Sequence, residues 1–225
     1  MKTSMGKIGK INFQWLGMIV LWAVLLVICL YFFLRQTPRT DEKSRHSECA
    51  SNLKAIGDAL IEYYRDKGCF PPPVIRDEAS GNTHSWRVAL LPYLEKGSFV
   101  DLYQAYHIDE PWDSEANLGL EKLEMLRYRC PSFVEEEPYW ITNYVMVVPD
   151  TAKKGKGTPA EKVTVIEIGD SDIPWTEPCD LKHDGLGMNT NDRSTDKCIN
   201  SPHPHGRHVL HCDASGNVIV EFISR

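Results

Sequence analysis

An uncharged apolar run, FQWLGMIVLWAVLLVICLYFFL, occupies residues 13–34, with lysines before it and arginines after it. As an α-helix, its 22 residues reach about 33 Å, because each residue adds about 1.5 Å. The hydrocarbon layer of a bilayer is about 30 Å thick, so a helix of this length can cross it. We therefore expect residues 13–34 to form a single transmembrane helix.

A cleaved secretory signal peptide is the competing interpretation of this run. Signal peptides have an apolar core of about 7 to 15 residues, followed by a small-residue cleavage site. Here the run is longer and continues into Arg35-Gln36-Thr37-Pro38-Arg39, so we expect an uncleaved anchor. Basic residues on both sides leave the orientation undecided by charge. Because a short basic tail is a poor candidate for export, we place residues 1–12 in the cytoplasm and the main domain outside the inner membrane.

Cysteine usage agrees with that orientation. After a neck at residues 35–46, the exported domain, residues 47–225, holds six of the seven cysteines, while Cys29 lies in the apolar run. Exported cysteines usually form disulfides, and six of them allow 15 pairings that the residues alone leave open. No Cys-x-x-Cys pair occurs, which argues against a zinc ribbon or a thioredoxin-like site. The six are Cys49, Cys69, Cys130, Cys179, Cys198 and Cys212.

The exported part is long enough for one domain with a hydrophobic core. The whole chain has a formal net charge of −6, and three lysines precede the apolar run, so the remainder carries −9. Nucleic acids and anionic lipids attract basic proteins, not acidic ones. We therefore expect no nucleic-acid partner.

Hydrophobic periodicity predicts a long helix followed by a late antiparallel sheet. Residues 49, 53, 56, 60 and 63 share one face of a helix from about Lys43 to Asp66, which Gly68 and three prolines end. Further helices are predicted at 85–94 and 114–126, and strands at 140–148 and 162–168. The turn Ala214-Ser215-Gly216 joins strands 207–213 and 217–223 in a hairpin. This order predicts an α+β fold.

Seven short strings in this chain resemble, in order, a large pilin-like family that is abundant in planctomycetes, domain of unknown function 1559. The resemblance spans about residues 47–224. The strings are SNLKAIG (51–57), GCFPP (68–72), SWRV with LPYLE (85–88 and 91–95), DEPWDS (109–114), YRCPS (128–132), IPWT (173–176) and the closing hairpin (213–223).

The resemblance implies a protein like a type IV pilin or a type II secretion pseudopilin. Its N-terminal helix lies half in the membrane, and the outer half packs against a small antiparallel sheet. The resemblance also implies that Cys49 and Cys130 bridge the helix to the domain, while the pairing of the other four cysteines stays open. The family typically opens with a prepilin leader that ends in Gly and is followed by Phe and a Glu. That pattern is missing here, so we expect no prepilin cleavage.

One cluster of possible metal ligands stands near the last hairpin. It comprises His203, His205, His208 and His211 with Cys212 and Asp213. Their side chains are of the types that bind zinc or copper. His208 and His211 are three apart on a predicted strand and so face opposite sides. We interpret these residues as surface histidines beside a disulfide, and we assign no metal or cofactor.

Other chemistry has weaker support. Calcium ligands are available at residues 109–115 and, in a second stretch, at Asp184, Asn189, Asn191 and Asp192. Asp113 is more simply explained as a helix cap and the second stretch as a solvated loop. There is no Gly-x-Ser-x-Gly elbow, phosphate loop or His-Glu-x-x-His helix. The sequence therefore favours a protein that is not an enzyme.

We expect a single-pass, pilin-like or pseudopilin-like protein of the inner membrane that works by contact with pilin-like or envelope subunits. The alternative is a membrane-tethered solute- or carbohydrate-binding module with an aromatic groove. Tryptophans in a small domain more often form its core. A metal-dependent hydrolase at the histidines is less favoured still. The groove candidates are Trp86, Trp112, Trp140 and Trp175.

Overall fold

The computed structural model describes residues 13–35, 42–94, 98–121, 126–132, 140–148, 162–169, 171–182, 203 and 205–224. The chain divides into two units, residues 1–41 and 42–225. One helix, α1 (Phe13–Arg35), belongs to the first unit. Throughout the described ranges, no helix combines the length and the apolarity that crossing a membrane requires.

The second unit begins with a 26-residue helix, α2 (Glu42–Lys67). Glu42 in its first turn and Lys67 in its last complement the partial charges of the helix ends. Gly68 adopts a left-handed φ of 73°, and its N–H donates to the Tyr64 carbonyl at 2.8 Å. A glycine in this conformation ends a helix at low cost. The helix predicted at 43–66 is confirmed.

Short elements follow α2. Strands β1 (Val74–Arg76) and β2 (Thr83–Ser85) pair as an antiparallel ribbon. Three helices come next, α3 (Trp86–Leu94), α4 (Ser98–Ala105) and α5 (Glu115–Glu121), and then a 3-10 turn, Leu126–Tyr128. The helix predicted at 85–94 is confirmed as α3, whereas α4 was not predicted.

The start of α5 corrects one prediction. This helix lies inside the predicted range 114–126, of which residues 122–125 are outside the described residues. Its cap is Ser114 and not Asp113, because the Asn117 N–H donates to the Ser114 Oγ at 3.2 Å. Serine is among the residues preferred at this position.

A five-stranded sheet forms the second layer of the fold. Its strands are β3 (Tyr144–Val148), β4 (Lys162–Glu167), β5 (Leu181–Lys182), β6 (Gly206–Asp213) and β7 (Val218–Ser224). The spatial order is β5-β3-β4-β6-β7, and all pairs except the parallel β3–β5 pair are antiparallel. Gly216, with a φ of 89°, lies in the turn that joins β6 to β7. The predicted hairpin and the α+β class are confirmed.

Strand β3 starts four residues later than the prediction of 140–148. Before β3, the side chains of Thr142 and Asn143 form hydrogen bonds with backbone groups of the segment at residues 128–130. Thr142 Oγ1 donates to the Tyr128 carbonyl at 3.0 Å, and Asn143 Oδ1 accepts from the Cys130 N–H at 2.9 Å. These bonds satisfy buried backbone groups and hold the segment after the 3-10 turn beside the sheet.

Helix α2 packs along β6 and β7 and against α3. At Gly57 the approach is so close that a Cβ would lie 2.5 Å from Val218 Cγ1 and 2.9 Å from Leu210 Cδ1. A glycine therefore lets the helix lie directly on the sheet. The largest fully buried side chains of the second unit belong to Leu53, Ile56, Leu60, Trp86, Arg87, Leu90, Leu91, Tyr128, Tyr144, Ile168 and Trp175.

A buried ion pair joins α3 to the segment before β5. The Arg87 Nη2 lies 2.8 Å from the Asp180 Oδ1, and neither side chain is more than 2% exposed. The same oxygen accepts from the Trp86 Nε1 at 3.0 Å and from the Met146 N–H at 2.8 Å. Arg87 also donates to the Tyr144 carbonyl through Nε at 3.1 Å and Nη2 at 2.9 Å. The pair thus connects a helix to the sheet in the buried interior of the second unit.

Candidate functional site

Seven titratable side chains meet where the first half of α2 faces the sheet. We call this group the histidine–cysteine cluster. Helix α2 supplies three members, the sheet supplies two, and the segments before the sheet strands supply two. The members are Glu42, His46, Cys49, Cys130, Glu167, His203 and His208.

Local geometry brings these residues together. Positions 42, 46 and 49 recur at helical spacing, so Glu42, His46 and Cys49 share one face of α2. In the sheet, the antiparallel register pairs Ile166 with Val209. The same register continued by one residue sets Glu167, at the end of β4, beside His208 in β6.

Glu167 is the centre of the cluster and is fully buried. Its Oε2 accepts from the His208 N–H at 3.0 Å and lies 3.0 Å from the His208 Nδ1. Its Oε1 lies 3.4 Å from the His203 Nε2 and makes no hydrogen bond with any residue that the structure describes. Burial by itself raises the pKa of Glu167, but the contacts with His203 and His208 outweigh burial and hold the pKa well below its usual range. The carboxylate is therefore charged at neutral pH.

His203 lies between two carboxylates. Its Nδ1 is 2.8 Å from the Glu42 Oε1, and its Nε2 faces Glu167 and, at 3.8 Å, the Cys130 Sγ. Burial lowers the pKa of His203, but the contacts with Cys130, Glu167 and Glu42 outweigh it and raise the pKa to about 10. The His46 ring stacks on His203 with centroids 3.8 Å apart. At neutral pH the protonated His203 ring therefore carries a positive charge that balances the Glu167 carboxylate.

The two cysteines of the cluster lie side by side. The Cys49 and Cys130 Sγ atoms are 2.6 Å apart, both residues are fully buried, and both are free thiols in this structure. A hydrogen bond with Cys130 lowers the pKa of the Cys49 thiol, but burial and the charge of Glu167 outweigh it and raise the pKa. Burial, followed by Cys49, raises the pKa of Cys130 far above its usual range. Without a bound cation both sulfurs are therefore neutral.

A family model named SBP_bac_10, described as "Protein of unknown function (DUF1559)", matches residues 39–172. The match covers more than half of the 225-residue chain. The chain belongs to the DUF1559 family. No curated protein and no solved structure matches the sequence. The matched range contains Cys49, Cys130 and Glu167, whereas His203 and His208 of this DUF1559 protein lie beyond it.

The structure corrects the interpretation of the histidines as surface residues. His203 and His208 are buried, while His205 and His211 are exposed. The expectation that His208 and His211 face opposite sides of the strand is confirmed, because His211 contacts Thr164 and Glu221 on the outer face. Of the six predicted residues, the structure therefore brings together His203 and His208, and it places residues 205, 211, 212 and 213 elsewhere.

The remaining two members of the predicted cluster have separate surroundings. Cys212 is buried, with its Sγ 3.9 Å from the Gly57 carbonyl. Asp213 accepts from the backbone N–H groups of Ser215 and Asn217 at 2.9 and 3.2 Å and so stabilises the hairpin turn. Both residues are explained by the fold.

Sequence reasoning missed Glu42, His46 and Glu167 as members of a site. One signal was available, the Glu-x-x-x-His-x-x-Cys spacing of residues 42, 46 and 49 on one helix face. Glu167 carried a second signal, because it stands between the apolar residues Ile166 and Ile168, and a charged residue that is buried with such neighbours requires a partner. Neither signal identifies His203, which lies between Glu42 and Glu167 only in the folded chain.

The two stretches with possible calcium ligands have different outcomes. Within residues 109–115, Asp109, Asp113 and Glu115 are exposed and Glu110 is half-buried, and among the described residues they form no group of possible metal ligands. Asp184, Asn189, Asn191 and Asp192 lie outside the described residues. A cleft of about 360 Å³ opens elsewhere, beside β1, β2 and α3, and His84 and Tyr103 are among its lining residues. Of the described residues that line this cleft, none is a tryptophan.

Proposed function

We propose that this DUF1559 protein is a membrane-anchored, extracytoplasmic protein that acts by contact with other proteins and not by catalysis. Residues 13–34 span the inner membrane, residues 1–12 lie inside the cell, and the domain lies outside. The domain is built like that of a pilin or pseudopilin, and its partners are pilin-like or envelope subunits.

The packing of α2 is the observation that carries this proposal. This helix runs for 26 residues, and its buried residues include Cys49, Leu53, Ile56 and Leu60, at the spacing of one helix face. That face packs on β6 and β7, the hairpin of the antiparallel sheet. A long helix laid on an antiparallel sheet is the arrangement that the resemblance to pilins implies.

The apolar run supports the membrane anchor. Residues 13–34 contain no charged residue, and described side chains of α1 such as Trp22 and Leu26 are each 67% exposed. Large exposed apolar surfaces mark contacts with a membrane or another protein. The length of the run matches that of a bilayer core.

Strand β7 offers a surface for contact with partners. It lies at the edge of the sheet, so one side of its backbone lacks a neighbouring strand in the described part of the chain. Ile219 and Ile223 on this strand are exposed. An edge strand with exposed apolar residues is suited to pairing with another chain. The exposed edge of β7 is therefore better suited to assembly with another chain than to binding a small ligand.

The buried tryptophans weigh against the alternative of a carbohydrate-binding groove. Trp86 and Trp175 are fully buried, and Trp140 packs, partly buried, against the same core. A ring in the core is not available for stacking on a sugar. Contact with proteins therefore has more support than carbohydrate binding does.

We expect two arginines in the middle of the run to abolish membrane insertion. At the centre of a spanning helix each arginine costs about 2.5–3.5 kcal/mol. The measurement compares carbonate-resistant membrane fractions of cells expressing the wild type, Val24→Arg with Leu25→Arg, and the apolar control Val24→Ile with Leu25→Ile. The wild type and the control should stay in the membrane, and the arginine variant should leave it. Release of the wild type by carbonate would contradict the anchor.

Orientation is tested on the same cells. Protease added to intact spheroplasts should digest the domain of the wild type, since the proposal places residues 47–225 outside. Protection of the domain until the spheroplasts are lysed would place it in the cytoplasm instead.

We further propose that Cys49 and Cys130 form a disulfide in the exported protein. The two buried sulfurs are adjacent, and a bond between them would tie α2 to the segment after the 3-10 turn. Disulfides that close long loops stabilise by about 2–4 kcal/mol. Peptide mapping of unreduced, alkylated protein should find the peptides of Cys49 and Cys130 linked.

The stability effect is measured with a pair of matched variants. Replacing both cysteines, Cys49→Ser with Cys130→Ser, should lower the free energy of unfolding by about 2–4 kcal/mol under oxidising conditions. The reduced wild type should lose a similar amount. If alkylation instead labels both residues in unreduced, denatured protein, the disulfide is absent.

A further inference from the structure

We infer that Glu167, His203 and His208 bind one divalent transition-metal ion, with Zn²⁺ the best fit, and that Cys49 is the fourth ligand whenever its thiol is free. The inference concerns residues of the second unit and does not depend on the membrane anchor. The spacing of the histidines in the sequence does not by itself predict a metal site.

The ligand atoms of these four residues are already close together. They all lie within 4.8 Å of one another, and all four residues are buried. Zinc bonds to nitrogen, oxygen and sulfur are about 2.0–2.3 Å long, so small side-chain movements suffice to close the group around one ion. Two imidazoles, a carboxylate and a thiolate are typical zinc ligands. The chemistry and the spacing of the group therefore fit this metal.

Glu167 supplies a second observation. Its Oε1 is buried and, within the described part of the chain, accepts no hydrogen bond. A buried acceptor without a donor is costly. A cation at the centre of the group would give this oxygen a partner. The His203 Nε2, a second ligand atom of the group, lies 3.4 Å from this oxygen.

Glu42 has the position of an outer carboxylate. Histidines that bind metals usually donate their other ring N–H to a carboxylate or carbonyl, which orients the ring. The His203 Nδ1 lies 2.8 Å from the Glu42 Oε1, and this contact directs the opposite nitrogen, Nε2, toward Glu167. The structure thus orients one ligand in the way that metal sites require.

Cys49 gives the site two states. As a thiolate it completes four protein ligands, which is the arrangement of closed, structural zinc sites. When it is bonded to Cys130, three protein ligands remain and the fourth position is open. Because a thiolate is a strong zinc ligand, we expect the reduced protein to bind zinc more tightly than the oxidised protein. The site ties α2 to the sheet and has no catalytic role.

The competing explanation is an ion-pair network without metal, in which protonated His203 balances Glu167. The two explanations differ in their response to metal. The full-length chain, purified in detergent, is reduced and stripped with a chelator, and Zn²⁺ is titrated by competition with a chromogenic chelator. One zinc per chain is the expected result. A wild type that binds no zinc in the reduced state would overturn the inference.

His208→Ala and His211→Ala form a matched pair. Both residues lie on β6, but His211 is on the exposed face. His208→Ala should lose at least about 10–100-fold in zinc affinity, the loss found even for outer-shell partners of a metal site. His211→Ala should bind like the wild type. Equal zinc affinities of the two variants would overturn the assignment of His208.

Cobalt substitution tests Cys49 and remains decisive if His208→Ala fails to fold. Reduced wild type with Co²⁺ should show thiolate-to-cobalt charge-transfer absorption in the near ultraviolet, together with the visible bands of tetrahedral coordination. Cys49→Ser and the oxidised protein should lack the charge-transfer absorption and bind more weakly. The same spectrum and affinity in all three forms would remove Cys49 from the ligand set.

Discussion

Replacing Asp180 by alanine is expected to lower the free energy of unfolding by about 3–5 kcal/mol, because breaking a buried ion pair leaves the other charge uncompensated. The Arg87 guanidinium and the Asp180 carboxylate are both buried. The Asp180 Oδ1 also accepts from Trp86 and Met146, and these donors would lose their acceptor. Denaturant unfolding of the full-length chain in detergent, followed by circular dichroism, measures the change.

An exposed ion pair is the matched control. Asp58 on α2 pairs with Lys54 at 2.9 Å, and its side chain is 58% exposed. Asp58→Ala should change stability by less than about 1 kcal/mol, as exposed pairs usually do. If Asp180→Ala is as mild as this control, the buried pair contributes little to the fold.

A double replacement separates the ion pair from its surroundings. Arg87→Met with Asp180→Leu removes both charges and keeps apolar volume. Replacing a whole buried ion pair by apolar residues is often neutral, so the double variant should be more stable than Asp180→Ala. A double variant that is less stable than the single one would show that the hydrogen bonds of Arg87 to the Tyr144 carbonyl, and not the charge pair, hold this region.

Elements defined by neighbouring residues were predictable from the sequence. Helix α2 follows from apolar residues at helical spacing and from the glycine and prolines after it, which are local signals. The β6–β7 hairpin follows from two strands around a short turn with Gly216. Helix α4 has only eight residues, too short for periodicity to distinguish it from a loop.

Contacts between distant parts of the chain were not predictable in this way. In the histidine–cysteine cluster, α2 meets residues that are 81 positions later, from Cys49 to Cys130, and 161 positions later, from Glu42 to His203. The β4–β6 register decides that Glu167 meets His208 and not His211. The same holds for Arg87 and Asp180, which are 93 residues apart. Nothing near either residue shows which charge it will meet, so the sequence predicts that such residues need partners but not which partners they find.

Trp175 gives a test that separates a structural tryptophan from a ligand-binding one. Its side chain is fully buried, and its ring lies near that of Tyr128, with centroids 6.5 Å apart. Truncating a buried tryptophan to alanine costs about 3–5 kcal/mol, since the contacts are lost and a cavity remains. Trp175→Ala should therefore lower the midpoint of denaturant unfolding strongly.

Trp112 is the matched control for this prediction, because it is only half-buried and lies between α4 and α5. Trp112→Ala should cost clearly less than Trp175→Ala in the same unfolding measurement. Residues that line a binding groove behave differently, since removing an exposed ring weakens ligand binding while stability changes little. Trp175→Ala protein with wild-type stability and weakened binding to a panel of oligosaccharides would therefore contradict the core assignment and favour a solute-binding module. A large loss of stability, with no oligosaccharide binding by the wild type, would support the core assignment of Trp175 and weigh against the solute-binding alternative.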